Sequence, residues 1–85
     1  MTMEERVLTM IKRDIAEYND TSRVYYSMRE TDNANADFYR GKITAMQNKL
    51  LDYCWELGYT INFVRAEDTE NHTYYEKAIL IENAE

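Results

Sequence analysis

Thr31-Asp32-Asn33-Ala34-Asn35 is a polar segment that divides the helical part of the chain in two. Asp, Asn and Thr side chains hydrogen-bond to nearby backbone groups, so a run of them favours a turn. Amphipathic segments of similar length flank it, at residues 3–30 and 36–57. Because helices joined by a short turn fold back on each other, the sequence predicts an antiparallel helical hairpin with its turn at residues 31–35.

The first segment shows helical periodicity, with apolar residues at alternating spacings of three and four. Thr2 and Glu5 have the capping-box spacing that begins a helix. Residues 19–22 are four poor helix formers in a row, so a kink or a short break is possible there. The buried stripe is expected to contain Leu8, Ile11, Ile15, Tyr18, Ser22 and Tyr25.

The second segment has the strict heptad spacing that is typical of a coiled-coil seam. Gly58 follows its last apolar residue and is suited to the left-handed conformation that ends many helices. The seam residues are Ala36, Tyr39, Ile43, Met46, Leu50, Tyr53 and Leu57.

Antiparallel pairing about the predicted turn places Ile15 opposite Leu50 at the apolar end of the hairpin. Around this position the second helix is apolar on nearly all sides. We therefore expect the core to lie at the end of the hairpin where the chain termini meet. Leu51 and Trp55 are expected to be buried there, each contributing about 1.5–3 kcal/mol of stability.

The C-terminal part predicts a β-hairpin with strands at residues 59–65 and 74–81. Tyr59, Ile61 and Phe63 alternate with polar residues, and this face is expected to pair beside Ile79 and Ile81. Because an isolated two-stranded sheet is marginally stable, it should pack on the helices as a roof. The fold class is therefore α+β. The alternative is an all-α fold in which residues 73–84 form a third helix.

The composition limits the classes of function. The 85 residues carry 16 acidic and 10 basic side chains, for a net charge of −6. A chain of this length forms one domain, here residues 1–85. Nucleic-acid binding needs Lys and Arg to neutralise phosphates, so direct binding to DNA or RNA is disfavoured.

Localisation and self-association also follow from the composition. One cysteine cannot form an internal disulfide, no secretory signal is visible, and no apolar stretch has the length of a membrane span. We expect a cytoplasmic protein without membrane contact. Because so short a chain buries only about 60–65% of its surface on folding, we expect a homodimer.

No set of residues matches a catalytic or metal-binding motif, and no cofactor is predicted. His72 is expected to be a solvated loop residue and Cys54 a packing residue, although an enzyme, the least favoured class, would have to use one of them. An acidic cluster lacks the length and central glycine of a calcium-binding loop and is interpreted as a solvated turn. It comprises Glu67, Asp68 and Glu70.

The turn end of the helical hairpin is rich in Tyr, Arg and Met, which are enriched at protein interfaces. We predict that this end binds a protein partner. Alternatively, the tyrosines stack on one another and the arginines pair with nearby acids. The candidate partner-binding residues are Arg23, Tyr25, Tyr26, Met28, Arg29, Phe38, Tyr39 and Arg40.

Residues 38–46 read Phe-Tyr-Arg-Gly-Lys-Ile-Thr-Ala-Met, and the helix continues to Leu57-Gly58-Tyr59. This pattern resembles small uncharacterised accessory proteins of phages and mobile elements. The resemblance covers about a quarter of the chain. It implies an accessory or host-interaction role and assigns no catalytic or binding residue.

The sequence thus predicts a small acidic protein that acts by protein–protein interaction, as a phage or mobile-element accessory factor. Small acidic proteins of that origin include anti-CRISPR-like inhibitors of host defence nucleases, some of which mimic nucleic acid. The alternative prediction is such an inhibitor, with an acidic tail that includes Glu67, Asp68 and Glu70. The net charge of −4 across residues 58–85, from six acids and two bases, motivates it.

Overall fold

A computed structural model describes residues 2–29 and 33–81. Two helices, α1 (Met3–Met28) and α2 (Asn33–Leu57), are followed by two strands, β1 (Thr60–Asp68) and β2 (Thr73–Ile81). The predicted α+β fold, a helical hairpin followed by a β-hairpin, is confirmed. The all-α alternative is wrong, because residues 73–81 form a strand.

The element boundaries differ from the prediction by one to three residues. Helix α1 ends at Met28, two residues early, and β1 begins at Thr60, one residue late. Helix α2 begins at Asn33, inside the predicted turn, whose first two residues lie outside the described residues. Strand β1 extends to Asp68, and β2 begins one residue early, at Thr73. The expected polar loop is therefore shortened to a turn at residues 69–72.

Local signals fix the helix ends. The hydroxyl oxygen of Thr2 accepts a hydrogen bond from the backbone N–H of Glu5 at 3.1 Å, as the capping-box spacing predicts. Gly58 has a φ of 77°, in the left-handed region. The backbone N–H of Tyr59 then donates to the carbonyl of Cys54 at 2.8 Å, the bond that closes a Schellman motif.

Helix α1 runs unbroken through residues 19–22, so the possible kink there does not occur. Three of the four side chains that weaken the helix locally have hydrogen-bond partners. The Thr21 hydroxyl donates to the carbonyl of Glu17 at 2.9 Å. Asn19 and Ser22 both bond to β2, because α1 lies along the outer edge of this strand.

The contacts with β2 are made to its backbone. The N–H of Ala78 donates to Oδ1 of Asn19 at 2.7 Å, and Nδ2 of Asn19 donates to the carbonyl of Ala78 at 3.4 Å. The N–H of Glu76 donates to the Ser22 hydroxyl at 3.2 Å. These side chains satisfy backbone groups that would otherwise form an open sheet edge.

The core lies between the helices and one face of the sheet, and not only at the termini end. Leu50 faces it from α2, as predicted for a seam residue, and so does Cys54, which lies beside the predicted seam. The predicted seam residues Tyr53 and Leu57 are 42% and 44% exposed, so the heptad register does not bury them. The predicted burial of Leu51 and Trp55 is wrong, because they are 42% and 86% exposed. Both lie on the side of α2 that turns away from the seam. The buried core comprises Ile11, Ile15, Tyr18, Leu50, Cys54, Ile61 and Ala78.

The strand register corrects the predicted pairing of side chains. Ile61 pairs with Leu80, and Phe63 pairs with Ala78, so these four residues share the inner face of the sheet. Ile79 and Ile81 lie on the outer face and are partly exposed. In β1, the alternation of apolar and polar residues identifies the buried face. Strand β2 has apolar residues on both faces, so its sequence pattern does not specify which face is buried.

Candidate protein-binding cleft

An open cleft separates the far ends of the two helices from the β-hairpin. One part, of about 350 Å³, lies between α1, α2 and β2, and a second part, of about 600 Å³, lies between α1 and the two strands. Tyr26, Arg29 and Glu76 line both parts, which therefore form one surface, called here the distal cleft.

The distal cleft brings together half of the predicted partner-binding residues. Tyr25, Tyr26, Arg29 and Arg40 all line it, although they come from two helices. The rings of Tyr25 and Tyr26 meet edge to face, with centroids 4.9 Å apart. These four residues form part of the wall that faces the β-hairpin.

Four predicted residues do not line the distal cleft. Phe38 is mostly exposed, and its ring meets that of Tyr39 edge to face at 5.5 Å. Met28 is half-buried. Arg23 points toward the turn of the β-hairpin, where it pairs with two carboxylates. These four residues lie toward the turn end of the helices, but their side chains do not face the distal cleft.

The β-hairpin contributes a second wall that the sequence did not reveal. Arg65, Tyr74 and Tyr75 line the larger part of the cleft. They lie more than twenty residues from the predicted site, and only the packing of the sheet along α1 brings them to it. The alternation of β1 was an available signal for Arg65, since it places this residue on the same face as Phe63, whereas Glu76 joins that face only through the strand register.

The arginines of the cleft are free to bind an incoming group. The guanidinium of Arg29 lies 5.4 Å from the ring centre of Tyr26, and that of Arg65 lies 4.0 Å from the ring centre of Tyr74. In the described part of the chain, no carboxylate lies within ion-pair distance of Arg29, Arg40 or Arg65. Tyrosine faces thus position Arg29 and Arg65, which have no ion-pair partner among the described residues.

Glu76 is the acidic residue of the cleft and is already bonded. Its Oε1 accepts a hydrogen bond from Nε2 of Gln47 at 3.1 Å. Burial, and then the nearby Glu76 carboxylate, raise the pKa of the Tyr18 and Tyr26 hydroxyls. Both tyrosines therefore remain protonated and can donate hydrogen bonds at neutral pH.

Asp68 is not part of an exposed acidic cluster, which corrects the interpretation of Glu67, Asp68 and Glu70 as a solvated turn. Its carboxylate accepts hydrogen bonds from the backbone N–H groups of Glu70 and Asn71 and from Nδ2 of Asn71. Nη2 of Arg23 lies 3.5 Å from it. The bond from the Asn71 side chain, followed by that from its backbone and by Arg23, lowers the pKa of Asp68. The residue organises the turn.

The candidate nucleophile, Cys54, and the candidate base, His72, lie in different environments. Cys54 is buried in the core, and burial raises the pKa of its thiol. His72 is exposed in the β-turn with a φ of 54°.

Across residues 2–29 and 33–81, no group of three or more His, Cys, Asp and Glu side chains could hold a metal ion. Neither helix, as far as the chain is described, is long and apolar enough to span a bilayer.

Comparison with protein-family models, curated proteins and solved structures found no match to this chain. The relationship to phage and mobile-element proteins stays a prediction. Function is therefore inferred from the side chains of the distal cleft.

Proposed function

We propose that this chain is a protein-binding module without enzymatic activity, and that its distal cleft binds an acidic segment of a partner protein. One observation carries the proposal: Arg29, Arg40 and Arg65 line one cleft without a carboxylate partner among the described residues. The protein as a whole has a net charge of −6. Its cleft is thus a local cationic region on an acidic molecule.

The chemistry of the cleft walls suits a peptide-like ligand. Arginine binds carboxylates through two parallel hydrogen bonds, and tyrosine supplies a large contact area at low entropic cost. With three arginines and one glutamate, the cleft has a formal charge of about +2. The acidic remainder of the surface repels an acidic partner, which directs it to this position.

The wider setting extends the same proposal. We place the protein in the cytoplasm, acting as a phage or mobile-element accessory factor and as a homodimer. We favour protein binding over mimicry of nucleic acid, because one of the three acidic-tail residues, Asp68, is buried and paired with Arg23. A mimic would need its carboxylates at the surface.

A titration tests the cleft directly. A fluorescein-labelled glutamate-rich peptide is added to the protein, and binding is followed by anisotropy at low and high salt. Binding is expected to weaken about tenfold or more as salt increases, and to be lost in the double variant Arg29→Ala, Arg40→Ala.

The control for this titration is the double variant Arg6→Ala, Arg13→Ala. It removes the same charge from exposed positions near the start of α1. If both double variants bind the peptide equally well, the cleft is not the binding site.

A further inference from the structure

The two edges of the sheet are not equivalent. The N–H and C=O of Ala78 and the N–H of Glu76 point away from β1, because they bond to Asn19 and Ser22 of α1. Helix α1 thus occupies the outer edge of β2. The outer edge of β1 lies on the other side of the sheet.

The register fixes which groups of β1 point outward. Phe63 is opposite Ala78, and Arg65 is opposite Glu76. Opposed residues of an antiparallel pair either bond to each other or both point away. Since Ala78 and Glu76 point away from β1, the N–H and C=O of Phe63 and Arg65 point to the opposite edge. Backbone groups point to the same edge at every second residue of a strand, so the N–H and C=O of Ile61 and Glu67 also point outward.

These outward groups have no internal partner in the described part of the chain. No backbone bond outside the β1–β2 pairing, and no side-chain bond, reaches residues 61, 63, 65 or 67. Strand β1 is nine residues long, pairs with β2 without a bulge, and contains no proline. Short length, a bulge and proline block many natural edge strands, and β1 has none of these, although it carries the charged residues Arg65 and Glu67. Its outward backbone groups are therefore open to pairing along the strand.

We infer that a second copy of this chain pairs with β1 in antiparallel orientation, forming a four-stranded sheet in the order β2-β1-β1-β2. The inference deepens the homodimer proposed above, because it names the interface. Another strand supplies backbone donors and acceptors at the spacing that these groups require along the whole length of β1. A twofold axis lets the same strand serve on both sides.

The midpoint of β1 sets the register. With the axis at Val64, all nine residues overlap, and the outward residues 61, 63, 65 and 67 meet outward residues of the second copy. About eight backbone hydrogen bonds then form, two for each outward residue. An axis at Arg65 would place two guanidiniums directly opposite each other, which is unfavourable.

The side chains on the outer face agree with this register. Val64 is 39% exposed and would meet its own counterpart at a non-hydrogen-bonded position, where side chains are closest. Ile79, opposite Asn62 on the same face, is also 39% exposed. Pairing joins these isolated apolar residues into one surface across the four strands.

Cysteine cross-linking tests the inference. At a non-hydrogen-bonded pair the Cα atoms lie about 4.5 Å apart, within the range of a disulfide. Val64→Cys is expected to form a covalent dimer in a glutathione redox buffer at least tenfold faster than Ile79→Cys. The two positions have equal exposure and lie on the same face, but Ile79 is on β2, away from the axis. The wild-type protein, whose Cys54 is buried, gives the background rate.

A second pair of variants separates the contribution of a backbone N–H of β1 from that of the side chain. Arg65→Pro removes an outward N–H and no bond to β2, whereas Arg65→Ala keeps the N–H and removes the same side chain. Light scattering after size-exclusion chromatography should show a monomer for the proline variant, with unchanged circular dichroism, and a dimer for the alanine variant.

The outcomes are distinguishable. A wild-type dimer whose two cysteine variants cross-link at the same rate overturns the β1 interface and leaves self-association standing. A wild-type monomer at high micromolar concentration overturns both. Peptide binding is measured separately through Arg29 and Arg40, which lie outside β1, whereas Phe63, Val64 and Arg65 belong both to the cleft and to the interface.

Discussion

Nη2 of Arg23 lies 3.5 Å from Oδ1 of Asp68, and the side chain of Asp68 is wholly buried. This ion pair joins the C-terminal part of α1 to the end of β1, next to the turn of the β-hairpin. Together with the bonds from Asn19 and Ser22 to β2, it fixes the hairpin along α1. The position of the hairpin in turn places Arg65 and Glu76 in the distal cleft.

Asp68→Asn is expected to lower the melting temperature at pH 7. The folded state lowers the pKa of Asp68, so the charged carboxylate stabilises the protein above its unfolded pKa of about 3.9. That contribution is lost as the pH falls through the folded pKa. Melting curves between pH 7 and pH 2.5 should therefore show the difference between wild type and variant shrinking below about pH 4.

Glu70→Gln is the matched control for Asp68→Asn. Glu70 is also near Arg23, at 3.6 Å, but its side chain is 81% exposed. We expect a melting temperature close to that of the wild type at every pH. An equal loss of stability in the two variants would mean that the buried environment of Asp68 contributes nothing.

Asn19→Ala should reduce the free energy of unfolding by roughly 1–3 kcal/mol. It leaves both the N–H and the C=O of Ala78 without their partner in a buried position. Asn48→Ala makes the same chemical change at an exposed site of α2, and should be neutral or slightly stabilising. Urea unfolding of the two variants measures the difference, and similar values for both would refute the edge-capping role of Asn19.

Trp55→Ala should change the free energy of unfolding by less than about 0.5 kcal/mol, because the indole is largely in solvent. Leu50→Ala, five residues earlier on α2 and in the core, should cost about 2–5 kcal/mol. Trp55 is the only tryptophan, so acrylamide quenching of its fluorescence reports its exposure independently. Weak quenching together with a large loss of stability would show that Trp55 is buried after all.

Cys54 should react with a thiol reagent only after unfolding. Its side chain is buried, and burial raises the pKa of the thiol, so little thiolate is present at neutral pH. The reaction with Ellman's reagent at pH 8 should be slow in buffer and complete in denaturant. Rapid reaction of the folded protein would place Cys54 at the surface and would complicate the cross-linking experiment.

The sequence was sufficient for the fold class because its strongest signals are local. The polar stretch before Asn35, the heptad spacing of α2 and the stop at Gly58 each depend on neighbouring residues only. The burial of individual side chains was predicted less well. Trp55 looks like a core residue by type, and only its angular position on α2 shows that it lies away from the seam.

The candidate site was half predictable for the same reason. Tyr26, Arg29 and Arg40 lie near the helical turn in sequence, so their proximity followed from the hairpin. Arg65 and Glu76 reach the cleft through the packing of the sheet on α1, which depends on Asn19 and Ser22. In the sequence, Asn19 and Ser22 indicate a weak point in the first helix. In the structure, their side chains form hydrogen bonds with the backbone of β2.

The most direct test of the central claim is capture of partners from a lysate of the source cells, followed by quantitative mass spectrometry. The wild type is compared with the cleft variant Arg29→Ala, Arg40→Ala and with the charge-matched variant Arg6→Ala, Arg13→Ala. The distal-cleft account predicts that a protein with an acidic segment is enriched by the wild type and the charge-matched variant, and lost with the cleft variant. An unchanged set of captured proteins across all three would contradict it.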